Sequence, residues 1–292
     1  MKTLIRVLAL AMTMLMLCSV SAPSLALVEP NSKTMEATYA YDLDTLKIQI
    51  DQWHYAFKKH DLRFFVAHIH TANPTQLLTA FAGEAYSKHN VEAPSDIAAR
   101  HNAVLAINGD YYNYKDDFGR IIRNGTLYRD AGSTRDHLLV YADGRMEGIY
   151  AADYVRDEGQ KFIDAGVVQS FAFGPLLVDN GQATVMPEKY IVSTDDTIRE
   201  PRTAIGMVEP NHYVVVVADG RRNGWSEKGM TLQELQQVFI EQGCQIAYNL
   251  DGGGSTSLVV NGERLNRSSG SRERDVSDIV YFIPRYSKAN PI

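Results

Sequence analysis

A carboxylate ahead of three glycines is the first stretch with chemical potential in this chain: Asp251-Gly252-Gly253-Gly254-Ser255-Thr256. Glycine has no Cβ, so its backbone N–H can face a ligand closely, as in anion-binding nests. A carboxylate at the mouth of such a loop is placed for acid–base work, nucleophilic attack or cation binding. No Lys follows in the GK[ST] arrangement, which excludes a Walker loop. The same letters also fit a flexible connection or an Asp-Gly turn. A second stretch, Asn108-Gly109-Asp110-Tyr111-Tyr112-Asn113, joins amide, glycine, carboxylate and two aromatic rings. Its tyrosines suit a sugar platform, and equally suit a turn with two core tyrosines.

The elements that must hold these loops are legible around them. Thr231 and Glu234 have capping-box spacing, and Leu232, Leu235, Val238 and Phe239 recur on one helical face. Gly243 suits the left-handed position after that helix, and Cys244 to Leu250 reads as a buried strand emptying into the glycines. Ala103 to Ile107 is a compact apolar strand ending at Asn108. Further back, Leu46–Phe57 and Leu62–Thr71 are predicted to form a hairpin. On its second strand His68 and His70 share a face, a pair read as structural or superficial because no third metal ligand is near. Pro30 to Thr38 reads as a loose lead-in, Asn73 to Ala82 as a turn and short helix, and Ser95 or Asp96 as the cap of a helix through Arg100. Asn124-Gly125, Asp143-Gly144 and Asn261-Gly262 are hairpin turns between β-rich runs, and Asp278 to Ile283 is a closing strand. The expected class is α+β: a single strand-rich domain with a mixed sheet and few helices.

Composition narrows the function. A formal charge of -6 leaves no basic footprint for nucleic acid. Lys2 and Arg6 precede the short apolar run Val7–Val20, and Ser24-Leu25-Ala26 is a small-residue cleavage site. Residues 1–26 are therefore expected to be a signal peptide, with Leu27 the new N-terminus and no membrane association afterwards. The destination is secreted, periplasmic or otherwise extracytoplasmic. Only Cys18 and Cys244 exist, so the mature chain has no internal disulfide, and Cys244 reads as a small buried hydrophobe. Oligomeric state is open.

Five segments resemble the phosphodiester glycosidase family: AINGDYYN at 106–113, FGPLLVDNG at 173–181, PRTAIGM at 201–207, the run from Asp219 to Gly262, and RERDVSDIVYF at 272–282. The sequence departs from the family at Asp110, where a small residue is usual, and at Asp275, where proline is usual. The resemblance implies a domain over 100–288, preceded by a strand-rich extension at 27–99. It implies cleavage of the glycosidic bond in a sugar-1-phosphodiester, with a sugar-phosphodiester or other glycan as the partner. On this reading the catalytic carboxylates are Asp251, Asp110 and Glu273. Arg202 and Arg221 supply bidentate donors for phosphate. Asn108, Gly109, Tyr111, Thr203, Asp219, Gly252, Gly253, Gly254, Ser255, Thr256 and Arg274 complete the substrate site. No cofactor is called for; Asp251, Asp219 and Asp110 are oxygen ligands of the kind Ca²⁺ or Mg²⁺ takes, but none lies in a recognisable metal loop. The competing reading is a non-catalytic glycan-binding or exopolysaccharide-export factor.

Overall fold

In the computed structural model, residues 29–110, 118–221 and 226–285 are described. The largest sheet has eight strands, in the order Ser32–Leu43, Leu46–Ala56, Asp61–Thr71, His212–Ala218, Arg202–Glu209, Ile246–Asn249, Leu176–Asp179 and Gln182–Ala183. A second sheet runs Thr126–Asp130, Arg120–Arg123, Val167–Phe171, His137–Tyr141, Met146–Ile149. The third runs Glu263–Arg264, Leu258–Val260, Leu105–Asn108, Asp278–Phe282, Leu77–Phe81.

Period-two patterning explains the layering. On Asp61–Thr71, Phe65, Ala67 and Ile69 face one core while Leu62, Phe64 and Val66 face another. His212–Ala218 divides the same way, with Tyr213, Val215 and Val217 opposite Val214, Val216 and Ala218. The first face of the large sheet packs against both smaller sheets, through Leu138, Val140 and Phe171 and through Leu105, Ile107, Val280 and Phe282. The second face is covered by the helix Leu232–Glu241, which sends Leu232, Leu235, Val238 and Phe239 into it. Its N-terminus carries the predicted capping box: the Thr231 side chain accepts from the Glu234 amide, and Glu234 accepts from the Thr231 amide. Gly243 follows with φ 75°.

Four expectations are corrected. The sheets are not mixed: every ladder between strands is antiparallel, one isolated parallel bridge between Asp61 and Glu227 aside. The supposed lead-in at 30–38 belongs to the edge strand Ser32–Leu43, zipped to Leu46–Ala56 from Ser32↔Ala56 to Leu43↔Leu46. An edge strand wet along much of its surface has little need of apolar periodicity. Asn73 does cap a 3₁₀ turn at Pro74–Gln76, but Leu77–Phe81 is then a strand paired with Asp278–Phe282, a partner too distant in sequence to be inferred locally. The helix Pro94–Arg100 has Ala93 at its N-cap and no side-chain cap, so neither Ser95 nor Asp96 caps it.

His68 and His70 do share the outer face of their strand. His68 Nδ1 lies 3.0 Å from His212 Nε2, and the rings of His70 and His212 stack at 3.9 Å. Cys244 is buried, with its thiol pushed up to about 12 by desolvation.

Candidate active site

The strands Leu105–Asn108 and Ile246–Asn249 lie in different sheets, and Asn108 joins their ends. Its Nδ2 donates to the Asp251 carbonyl at 2.7 Å. Its Oδ1 accepts from Thr203 Oγ1 at 2.8 Å and from the Ser257 amide at 3.1 Å. Three separate segments are thereby fastened to one buried amide, and the two carboxylates flagged by sequence are brought together. Asp110 and Asp251 both line a cavity of about 250 Å³, with Asn108, Gly109, Ser255, Arg274, Asp275 and Ser277 around them.

The three glycines work by closeness. A Cβ on Gly252 would meet the Pro201 carbonyl oxygen at 2.6 Å. Gly253 has φ 59°, and Gly254 lies against the Arg274 side chain. Part of the expected row of N–H groups is taken up within the protein. The Gly253 amide donates to the Pro201 carbonyl at 2.9 Å, and the Ser255 amide closes a 3₁₀ turn onto Gly252 at 3.1 Å. The loop is a tight packing device that leaves Asp251 facing the cavity.

Burial pushes the Asp251 carboxyl up to about 6, against hydrogen bonding from Ser255 and the Arg274 charge, with the Asp110 charge adding to the rise. Beneath it lies a group that sequence reasoning missed. Asp278, the first residue of the closing strand, is wholly buried, and burial pushes its carboxyl to about 6 despite the adjacent Arg123. Arg123, from the second sheet, donates through Nε to Asp278 Oδ2 at 2.8 Å and reaches Asp110 Oδ2 with Nη2 at 3.3 Å. Asp110 Oδ2 also accepts from the Ala172 amide at 2.9 Å. The sequence signal was present but unread: a carboxylate at the head of an apolar strand, and an arginine inside the β-rich run Arg120-Ile121-Ile122-Arg123.

Other predicted site residues lie apart. Glu273 accepts from Ser95 Oγ at the start of the helix Pro94–Arg100 and is not among the described cavity-lining residues, because its side chain turns to that helix. Arg202 is buried beside Gly252, donating from Nε to the Met230 carbonyl at 3.1 Å with Nη2 unpartnered among the described residues, and desolvation brings it down to about 10. Arg221 borders Gly253 but is paired with Glu200. Neither arginine is among the described lining; Arg274 is. Asp219 is buried elsewhere, accepting from the Arg267 amide at 3.0 Å and from Asn266 at 3.3 Å. Thr256 is buried behind the loop. Tyr111 and Tyr112 lie outside the described residues. Among the described residues no group of three His, Cys, Asp or Glu side chains is arranged to hold a metal ion.

A model of the phosphodiester glycosidase family matches residues 101–283. The chain belongs to this family. Over 197 residues it is 32% identical to the SPbeta prophage-derived uncharacterized protein YomE of Bacillus subtilis, covering 65% of this chain and 29% of that protein. It is 26% identical over 189 residues to the N-acetylglucosamine-1-phosphodiester alpha-N-acetylglucosaminidase of Homo sapiens, covering 58% of this chain and 36% of that enzyme. The alignments thus span about a third of these relatives (29% and 36%). In fold it resembles the zebrafish N-acetylglucosamine-1-phosphodiester alpha-N-acetylglucosaminidase catalytic domain, with a TM-score of 0.69 at 18% identity, covering 87% of this chain and 88% of that one. A hypothetical protein from Synechocystis superposes with a TM-score of 0.58 at 16% identity, covering 85% and 64%.

Proposed function

We propose that the protein is an exported hydrolase that cleaves the glycosidic bond of a sugar-1-phosphodiester of the N-acetylglucosamine type, in envelope or extracellular glycans. One observation carries the reading: Asp251 faces a cavity of about 250 Å³ with its carboxyl raised to about 6, beside Asp110 and below Arg274. The bond from the anomeric carbon to the phosphate oxygen breaks. Water supplies hydroxide to the sugar and a proton to the phosphate, giving free sugar and a phosphomonoester. The phosphate is a good leaving group, so the main need is a carboxylate for the positive charge developing on the ring. In this reading Asp251 meets that charge or attacks the carbon, Asp110 is the second carboxylate, and Arg274 receives the phosphate at the rim. No metal enters the scheme.

The test is sugar release from a panel of sugar-1-phosphodiesters by the purified protein. Release from a GlcNAc-1-phosphodiester is expected. Binding without release would favour the glycan-binding or export-factor reading. Export is checked separately: mass spectrometry of the secreted chain should find it starting near Leu27.

A further inference from the structure

Two buried aspartates share one arginine beneath the cavity, and only one of them reaches it. Asp110 is at the cavity wall; Asp278 lies behind it, absent from the described lining. Arg123 joins them, its Nη2 standing 2.7 Å from Asp278 Oδ2 and 3.3 Å from Asp110 Oδ2. Each carboxylate keeps its Oδ1 buried and without a partner among the described residues. The fit is tight: a Cβ on Gly109 would fall 2.4 Å from Asp278 Oδ1. The Gly109 amide donates to the Asp278 carbonyl at 3.0 Å, so the backbone carrying Asp110 is tied to the same residue.

Ion pairs that only stabilise a surface need no such arrangement. Two carboxylates and one guanidinium are packed together here, Asp278 wholly buried and Asp110 touching only the cavity, which is costly to build away from bulk water. We propose that Asp278, acting through Arg123, is a positioning residue that fixes the Asp110 carboxylate and the field it exerts on Asp251. The inference rests on the hydrolase reading of this cavity and adds a residue outside the cavity to it. Among the described residues, the charged and titratable groups around Asp110 include Arg123 and Asp278 from two sheets, Asp251 across the cavity, and the Tyr190 and Tyr248 hydroxyls, on which its charge acts. Arg274 acts on Asp251 from the rim.

Asp278→Asn keeps the shape and removes the charge. The Arg123 charge then falls more fully on Asp110, and Asp251 senses less negative charge. With the best sugar-1-phosphodiester, kcat should fall about tenfold or more while KM stays within about twofold, as expected when a reacting group is misplaced. The Asp251 titration, followed by carboxyl carbon NMR and assigned with Asp251→Asn, should move below its wild-type midpoint. This second readout needs no turnover, so it distinguishes failure of the positioning proposal from failure of the hydrolase reading. A folded Asp278→Asn protein with unchanged kcat and an unchanged Asp251 midpoint overturns the proposal. Should that variant not fold, Arg123→Lys decides: it keeps the charge but loses the fork that joins the two carboxylates, so kcat should fall with KM kept, and a folded Arg123→Lys protein with wild-type kcat and a wild-type Asp251 midpoint overturns the proposal.

Discussion

Asp251 and Asp219 are both aspartates whose burial pushes their carboxyls up to about 6, and only one of them opens onto a cavity. Their substitution should therefore read differently. Asp251→Asn should lower turnover by about two orders of magnitude or more, the scale seen when a transition-state charge partner is lost, with little change in melting temperature. A folded Asp251→Asn protein with wild-type turnover would contradict its assigned role. For Asp219 the readout is stability. The folded state holds the Asp219 proton to a higher pH than the unfolded chain, so the native state loses stability as pH rises from about 4 to about 6. Below that window both states are protonated; above it the full penalty of a buried charge remains. Asp219→Asn lacks this term, so its stability relative to wild type should improve by up to about 3 kcal/mol between pH 4 and pH 7. Denaturant melts at the two pH values measure the difference directly. An offset independent of pH would show that Asp219 is not held protonated.

At the scale of elements, the glycine loop is fixed from below by backbone. Gly252→Ala would press a Cβ into the Pro201 carbonyl, which belongs to the neighbouring chain segment and cannot rotate away. A cost of about 1–3 kcal/mol is expected, together with a fall in kcat as Asp251 shifts. Thr231→Ala removes the helix cap instead, and should cost about 1 kcal/mol with turnover per folded molecule retained. These two variants together separate loop placement from general stability. The contrast also marks what could be read from the chain alone. Thr231, Glu234 and Gly243 announce their helix because capping chemistry is local, and Asn124-Gly125 announces its turn for the same reason. Asp251 and Asp110 were legible as chemistry because each ends an apolar run. Asp278 and Arg123 were not, since their meaning depends on each other across two sheets and a long reach of sequence. Glu273 misled because a charged residue in a polar stretch gives no sign of which way it will turn, and here it turns to Ser95. The exposed strand Ser32–Leu43 was hidden by its own polarity.

At the scale of the molecule, the family match begins at residue 101, but the large sheet does not. Phe64–His70 is hydrogen-bonded along the length of His212–Ala218, and Phe64, Phe65, Val66 and Ile69 are buried with it. A chain beginning at residue 100 would expose both faces and the edge of that strand. It should be recovered unfolded or aggregated, judged by the loss of a cooperative thermal transition. Soluble, cooperatively melting protein from that truncation would show the first four strands to be dispensable.

The pairing of Leu77–Phe81 with Asp278–Phe282 also sets an order of events during synthesis. An early strand must wait for one far later in the chain, and the same later strand brings Asp278 to Arg123 and ties down Gly109. Such long-range antiparallel pairing is slow to form, because loop closure precedes its reward. The nascent chain therefore lacks the floor of its cavity until the segment carrying Asp278 has been made and docked.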